Sequence, residues 1–257
     1  MEKEFHFPVW CYDQYPLRRL QNGSLTVEDS YYENLELFAR KARKTNRPFW
    51  AFCQCLQLLN TDDTDFTATP TFERMRYEAF SALAYGAQGI NFWAFLQREN
   101  QENEYYGIAP IDFDYNRTSL WNEVKKTVDL IKKYNDVFLD AKMIIARHTG
   151  KRKWGNVVSY YDQENDDFGP LMNISTSDRG VLLTRLSKGD YNYLVVVNHS
   201  PYEWQDITLY FDSTVPVFEV KPPLAVQVTP GPSKPPTGFP VSYTLDEGDF
   251  LVFRWNK

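Results

Sequence analysis

The sequence predicts a chain with an α/β part followed by an all-β part. Within residues 5–140, three apolar runs typical of strands are each followed by a segment of helical period. From about residue 142 onward, the apolar runs are short, follow a period of two and are separated by Gly, Pro, Asn and Asp. Strand–helix repeats indicate a parallel sheet, whereas short alternating strands between turns indicate antiparallel sheets.

The stretch from Thr69 to Phe95 carries the clearest strand–helix signal, a helix that turns into a buried strand. Thr69 is expected to cap this helix and Pro70 to take its first position. Apolar residues recur every three or four positions, at Phe72, Met75, Ala79, Phe80 and Leu83. Gly86 suits the left-handed conformation that often ends a helix, and the apolar run INFWAF follows it.

Two other strand–helix pairs lie on either side of this stretch. The first is a strand over Val9–Tyr12 with Asp13 at its end, followed by a helix that starts at the S-x-x-E capping box of Ser30 and Glu33. The run PFWAFCQCL, residues 48–56, is the second strand, and it precedes the helix described above. After INFWAF, a polar loop leads to an amphipathic helix over residues 119–139.

Three such repeats belong either to an open doubly wound sheet or to a (β/α)8 barrel. No glycine-rich phosphate loop follows any of the three strands. The nucleotide-binding form of the open sheet is therefore disfavoured, and the repeats are interpreted as barrel units. A closed barrel needs eight of them, and only three are visible.

The domain boundary is predicted near residue 141, with residues 1–141 as the partial barrel and residues 142–257 as the β-domain. The strand-like runs of the second part, such as RGVLLTRLS and YNYLVVVNHS, predict an antiparallel sandwich or small barrel. A proline-rich stretch, VTPGPSKPPTGFP, has strand-like runs on both sides. It is interpreted as an excursion within the domain.

Composition and charge limit the classes of partner. The net charge of −6 and the lack of a long Lys/Arg cluster predict no nucleic-acid partner. No apolar run approaches the roughly 18 residues that a membrane helix needs, so no membrane partner is predicted. MEKEFHFPVW lacks the basic start and apolar centre of a signal peptide, and the localisation stays open. Aromatic residues make up 16% of the chain, which fits either an aromatic-rich core or a sugar-binding cleft.

The cysteines and histidines predict neither a metal site nor a cofactor. Cys11, Cys53 and Cys55 form no CxxC pair, and the three histidines are scattered along the chain. Cys53 and Cys55 lie on one face of a predicted strand, as buried thiols do. His148 and Arg147 open the β-domain, where a role at the domain interface is expected.

Three motifs in this order resemble the last three βα units of the catalytic barrel of glycoside hydrolase family 42 and related bacterial proteins. They are CYDQYP at a strand end, RPFWAFCQ, and PTFERMRYEAFSALAYGAQGINFWAF. The tail, with FLDAKMIIARHTG and LDEGDFLVFRW, resembles the β-domain that follows those barrels. The resemblance implies the C-terminal portion of a TIM (β/α)8 barrel followed by an antiparallel β-sandwich.

The resemblance also implies what is missing from the chemistry. Retaining glycosidases use two carboxylates about 5 Å apart. The family places its acid/base after the fourth barrel strand, which has no counterpart here, and its nucleophilic glutamate at the position of Cys53. Phe95 stands where the family has tryptophan. The catalytic residues are therefore unknown, and Asp13 is the candidate that remains.

Candidate substrate-binding residues lie where barrel strands end, since chemistry gathers at that face. Asp13 and Tyr15 belong to the D-x-YP pattern of the family. Gln54 ends the second strand, Trp93 lies near the end of the third, and Glu104 belongs to the acidic loop beyond it. We expect Asp13, Tyr15 and Gln54 to hydrogen-bond sugar hydroxyls and Trp93 to stack on a sugar ring.

Each candidate also has a structural explanation. Asp13 suits a loop cap held by backbone N–H groups, while Tyr15 and Trp93 suit core packing. Glu104 suits a solvated acidic loop, and Cys53 suits an inert core position.

Two functions follow. The first is a glycoside hydrolase of β-glycosidase type, of which this chain is a fragment without the acid/base half of the barrel. The alternative is a non-catalytic carbohydrate-binding or accessory protein on the same fold. Both imply a carbohydrate ligand. A partial barrel leaves a strand edge open, so self-association into a homo-oligomer is also expected.

Overall fold

A computed structural model describes residues 7–20, 22–59, 67–101, 105–229 and 238–257. The first part of the chain contains β1 (Trp10–Tyr12), β2 (Leu17–Arg19), β3 (Leu25–Val27), α1 (Ser30–Thr45), β4 (Phe49–Gln54), β5 (Leu58–Leu59), α2 (Phe72–Ala84), β6 (Gly89–Trp93), β7 (Tyr105–Tyr106), α3 (Ser119–Lys133) and α4 (Asn135–Phe138). The second part contains β8 (Lys142–His148), β9 (Leu171–Ser175), β10 (Val181–Lys188), β11 (Tyr191–Asn198), β12 (Gln205–Phe211), β13 (Phe218–Lys221), β14 (Leu224–Gln227), β15 (Phe239–Leu245) and β16 (Phe250–Asn256).

The three predicted strands of the first part form a parallel sheet in the order β1-β4-β6. Helix α1 connects β1 to β4, and α2 connects β4 to β6. Successive strands of the chain are therefore neighbours in the sheet, as in repeated βα units. The described residues contain these three parallel strands and no closed barrel.

The two faces of this sheet differ in cover. Phe49, Ala51 and Cys53 point to one side and are buried; we call this side the helix face, because α1, α2 and α3 pack on it. Trp50, on the opposite side, is 40% exposed, and its sheet neighbour Cys11 is also exposed. We call this side the open face, since no described helix covers it.

Both predicted helix caps differ from the structure. Helix α2 starts later than expected, and Thr71 is its N-cap, with a hydroxyl that accepts from the Arg74 amide at 3.4 Å. Ser30 is the first residue of α1 and its hydroxyl accepts from the Gln14 amide at 2.9 Å, so the capping box does not form. The Ser30 hydroxyl, which the local motif predicted to cap the helix, binds Gln14 of the preceding loop.

The helix ends and strand ends also differ slightly from expectation. Strand β6 stops at Trp93, and Phe95 is an exposed residue that packs edge-on against Trp121 at 5.4 Å. The helix expected over residues 119–139 is divided into α3 and α4 at Tyr134. Gly86 follows α2 with φ of +92°, as predicted for a left-handed helix terminus.

The second part of the chain is antiparallel throughout its described sheets. A six-stranded sheet has the order β14-β13-β16-β11-β10-β8, and a three-stranded sheet has the order β15-β12-β9. Leu183, Val196, Leu209 and Phe253 belong to one hydrophobic cluster between these two sheets. The predicted antiparallel arrangement is therefore present.

The central strands β10 and β11 of the six-stranded sheet are buried on both faces, whereas the predicted alternation would leave one face exposed. In β11, every residue from Asn192 to Asn198 is buried. Its second face packs on the first part of the chain, where Phe250 stacks on Phe80 of α2 at 3.8 Å between ring centroids. A strand covered on both faces has a continuous apolar run, such as YLVVV, in place of alternation.

Among the described residues, none of the helices has the length and apolar character of a membrane span. Glu104 and most of the proline-rich stretch, residues 230–237, lie outside the described residues.

Candidate functional site at the ends of the parallel strands

The parallel strands bring four of the five predicted site residues to one edge of the sheet. Asp13 and Tyr15 follow β1, while Gln54 and Trp93 are the last residues of β4 and β6. Gln54 and Trp93 are partners in the sheet register, and the Cys55 amide donates to the Trp93 carbonyl at 2.8 Å. The carboxyl ends of neighbouring parallel strands meet at one edge, which explains this grouping.

An aromatic wall stands at this edge. The Tyr15 and Trp93 rings are stacked, with 5.2 Å between centroids and an interplanar angle of 24°. Tyr106 extends the wall at 6.1 Å from Trp93, and the Arg98 guanidinium lies 5.5 Å and 5.4 Å from the Trp93 and Tyr106 centroids. The sequence interpretation missed Tyr106 and Arg98, because the segment after β6 has no periodic pattern of apolar residues.

Asp13 and Tyr15 have different surroundings. Asp13 is exposed, and no backbone N–H of a described residue donates to its carboxylate, so the loop-cap explanation has no support. The Tyr15 hydroxyl is buried without a hydrogen bond of normal geometry among the described residues. Burial raises the pKa of Tyr15, and the nearby Asp13 carboxylate raises it further. Tyr15 is therefore a neutral phenol beside an exposed carboxylate.

Gln54 is held inside the protein. It is 2% exposed, and its amide nitrogen donates to the Leu56 carbonyl at 2.8 Å and to the Thr67 hydroxyl at 2.5 Å. Its side-chain oxygen is buried and has no hydrogen-bond partner in the described part of the chain. Gln54 is thus a buried residue at the strand end, next to Trp93 in the sheet register.

Glu78 is a buried carboxyl group next to Gln54. It lies on α2, is 3% exposed, and accepts the Gln54 backbone N–H at 2.9 Å. Burial raises the pKa of Glu78 from 4.5 to about 8, although the Gln54 N–H and the Arg18 charge both oppose the shift. At neutral pH this group is therefore mainly a carboxylic acid.

The sequence interpretation missed Glu78, but a signal existed. Glu78 lies three residues after Met75, at the border of the apolar stripe of the helix. A glutamate that borders an apolar stripe is a candidate for burial with it.

Cys53 is an inert core residue at the position where the resemblance places a glutamate. The thiol is buried and lies 3.5 Å from the Met75 carbonyl. Burial raises the pKa of Cys53 well above 9.0, and the neighbouring Glu78 and Cys55 act in the same direction. A thiol that resists ionisation is a poor nucleophile.

Among the described residues, no group of three or more His, Cys, Asp and Glu side chains is arranged to hold a metal ion. The carboxyl groups described at the strand ends are instead Asp13, exposed to solvent, and Glu78, enclosed in the core. This edge of the sheet therefore offers an aromatic surface and an exposed hydrogen-bond acceptor.

No protein-family model and no curated protein sequence match this chain. Solved structures do match it. A GH42 β-galactosidase from G. stearothermophilus, in a catalytic mutant form, aligns with 97% of this chain at a TM-score of 0.52 and 11% identity. A β-galactosidase from Bacillus circulans sp. alkalophilus aligns with 96% of it at 0.52 and 11% identity. A further GH42 β-galactosidase aligns with 97% of it at 0.53 and 10% identity.

In each of these three matches the alignment covers 60% of the other protein, so this chain spans less than two thirds of their length. Identity of 10–11% shows likeness of fold alone. The chain therefore has a mixed, sheet-rich fold that is shared with part of these glycoside hydrolases.

Proposed function

We propose that this chain is the C-terminal portion of a glycoside hydrolase-like (β/α)8 barrel, over residues 1–141, followed by a β-sandwich domain over residues 142–257. Its strand ends contribute one wall of a carbohydrate-binding cleft. The observation that carries the proposal is a parallel sheet with helices on one face and an aromatic wall at its carboxyl edge.

The open face supports the barrel. Parallel sheets are normally buried on both faces, whereas Trp50 and Cys11 are exposed here. In a barrel, the inward faces of further strands cover such side chains. We therefore propose that further βα units cover the open face and exclude solvent from it.

The aromatic wall supports a sugar as the ligand. The C–H face of a pyranose packs on aromatic rings, and its hydroxyl groups donate to carboxylates. Tyr15 and Trp93 offer the rings, and Asp13 offers an exposed carboxylate beside them. A second carboxylate about 5 Å from the first is needed for retaining hydrolysis. We propose that it belongs to the barrel strands that complete the open face.

Sugar binding by the strand ends is tested by calorimetric titration of the chain with lactose and methyl β-galactoside. We expect weak binding, on the order of 1–10 mM, that falls by about tenfold or more in Trp93→Ala as the stacking surface is lost. Asp13→Asn is expected to weaken binding by a smaller factor. Phe113→Ala removes an aromatic side chain that is 58% exposed and is not one of the rings of the wall, and it serves as the matched control. Binding that survives Trp93→Ala unchanged would rule out the proposed wall.

A non-catalytic carbohydrate-binding or accessory role is the second candidate, and the buried Cys53 thiol favours it. We expect the chain alone to show no measurable turnover of nitrophenyl glycosides. Turnover that Asp13→Asn abolishes and Phe113→Ala leaves intact would instead show that this chain carries a catalytic group of its own.

A further inference from the structure

A second, separate groove opens at the end of the three-stranded antiparallel sheet. It has a volume of about 700 Å³, in the range of small-molecule sites, and lies where β9 ends and β12 begins. Its lining includes Ser175, Arg179, Tyr202, Glu203, Trp204 and Asp206. None of the residues of the strand-end site contributes to it.

Trp204 is the exposed aromatic residue of this groove. Its side chain is 57% exposed, although burial of an indole is among the larger stabilising contributions available to a protein. Its backbone is well placed, because the Arg179 guanidinium donates to the Trp204 carbonyl at 3.2 Å. The next residue, Gln205, is buried and donates to the Gly180 carbonyl and the Asn198 side chain, both at 2.7 Å. The backbone that carries the Trp204 ring is therefore held in place by hydrogen bonds.

The polar groups around Trp204 select against acidic ligands. Arg179 and Glu203 form an ion pair at 2.5 Å, so their charges compensate each other. Asp206 and Glu247 also line the groove and leave two carboxylates in excess. Carboxylates accept hydrogen bonds from hydroxyl groups but repel uronic acids and sulfated sugars.

A neighbouring cavity extends the groove. It has a volume of about 320 Å³, lies beside the β2–β3 hairpin and shares Arg179, Tyr202 and Glu203 with the first. Trp154 lines it and is 1% exposed, and its indole N–H has no partner among the described residues. The two cavities together accommodate more than one sugar ring, and the second is lined by the residue with this unpaired donor.

We propose that this groove binds a neutral oligosaccharide, with Trp204 as the ring on which a sugar stacks. The site is distinct from the strand ends, and its function does not depend on the activity of any barrel. Such a site holds a chain of sugars against the β-domain.

The test follows the tryptophan indole N–H signals in ¹H–¹⁵N spectra of the full chain, which has seven tryptophans. Trp204→Phe and Trp93→Phe assign the two signals of interest by their disappearance. We expect the Trp204 signal to shift in a saturable manner with cellotetraose, maltotetraose or β-1,4-galactotetraose, and not with tetragalacturonate. If none of the three neutral tetrasaccharides moves it, the proposal is wrong.

Calorimetry then measures the contribution of the ring. Trp204→Ala is expected to raise the Kd of the responding tetrasaccharide by about tenfold, and Trp204→Phe by about threefold or less. Thermal unfolding of both variants checks that they are folded, and loss of the fold in Trp204→Ala leaves Trp204→Gln as the substitute. An unchanged Kd in a folded variant without the ring would overturn the proposal. The Trp93 signal reports the strand-end site independently in the same spectra.

Discussion

Glu78 shows how a single residue links a helix to the candidate site. Its carboxyl group caps the Gln54 N–H at the end of β4, in a place where solvent cannot reach it. The pKa of about 8 means that the folded state holds a proton there up to weakly basic pH. The unfolded state releases that proton near pH 4.5, so the contribution of Glu78 to stability is complete below pH 4.5 and is lost as pH rises to 8.

Glu78→Gln is therefore expected to stabilise the protein at basic pH. The amide keeps the shape and the acceptor but cannot ionise, so the gain relative to the natural protein grows between pH 5 and pH 8 by on the order of 3 kcal/mol. Urea unfolding at several pH values measures this difference. Glu164→Gln, at an exposed position, is the control and is expected to leave the profile unchanged. A variant that loses stability at pH 8 would show that Glu78 is ionised and paired in the folded state.

Among the elements, α2 shows how much the sequence can predict. Its apolar stripe and the terminal Gly86 indicated its place correctly, because both are local properties of the chain. Its N-cap and that of α1 were predicted wrongly, because Gln14 competes for Ser30 and the chain up to Thr71 stays extended. Local motifs do not record such tertiary partners.

Gly86→Ala is expected to destabilise the protein by about 1 kcal/mol or more, since a Cβ is strained at positive φ. The added carbon would also lie 3.3 Å from Met143 Cβ, which has to move. Gly189→Ala is the matched control, with φ of +53° and nothing within 4 Å of the added carbon. Urea unfolding of the two variants separates the steric contact from the backbone cost. Equal losses would show that the Met143 contact relaxes freely.

At the scale of the whole molecule, a chain of buried hydrogen bonds joins the helical part to the antiparallel sheets. The Tyr85 hydroxyl bonds His148 Nε2 at 2.8 Å, and His148 Nδ1 bonds His199 Nε2 at 2.9 Å. His199 Nδ1 then bonds the Arg179 carbonyl at 3.2 Å. Each nitrogen has one partner when both rings are neutral and protonated on Nδ1. His148 therefore has the interface position that its place in the sequence suggested.

Acid is expected to weaken this junction. Burial lowers the pKa of His199 to about 3 and that of His148 well below 6.5. Below pH 6.5 the histidines of the unfolded state are protonated, whereas His199 of the folded state stays neutral down to about pH 3. The free energy of unfolding therefore decreases as the pH is lowered from 6.5 to 3. The loss by pH 5 is about 1.5 kcal/mol for His199, and His148 acts in the same direction.

The measurement is the slope of unfolding free energy against pH in His199→Asn and the natural protein. The variant is less stable near pH 7 because it breaks the chain of hydrogen bonds, but its slope between pH 6.5 and 5 is expected to be shallower. Parallel slopes would contradict a neutral buried pair.

The sequence predicted the parallel strands and the antiparallel runs, because apolar periodicity and turn residues are properties of short segments of the chain. It did not predict that β10 and β11 are covered on both faces, or that Glu78 stands behind Gln54. Both depend on which elements pack together, and α2 packs on both the parallel sheet and the six-stranded sheet. Asp13, Tyr15 and Trp93 could be grouped in advance because parallel strands end at one edge.

Helix α2 is covered by the parallel sheet on one side and by the six-stranded sheet on the other, which constrains how its sequence evolves. Every residue of the helix from Tyr77 to Ala84 is buried, so this segment has no solvent-facing side on which substitutions accumulate at little cost. A change at Phe80 has to be accommodated by Phe250, far away in the sequence. The parallel sheet and the six-stranded sheet thus both pack on this one segment. A substitution in it requires compensating changes in both parts of the molecule.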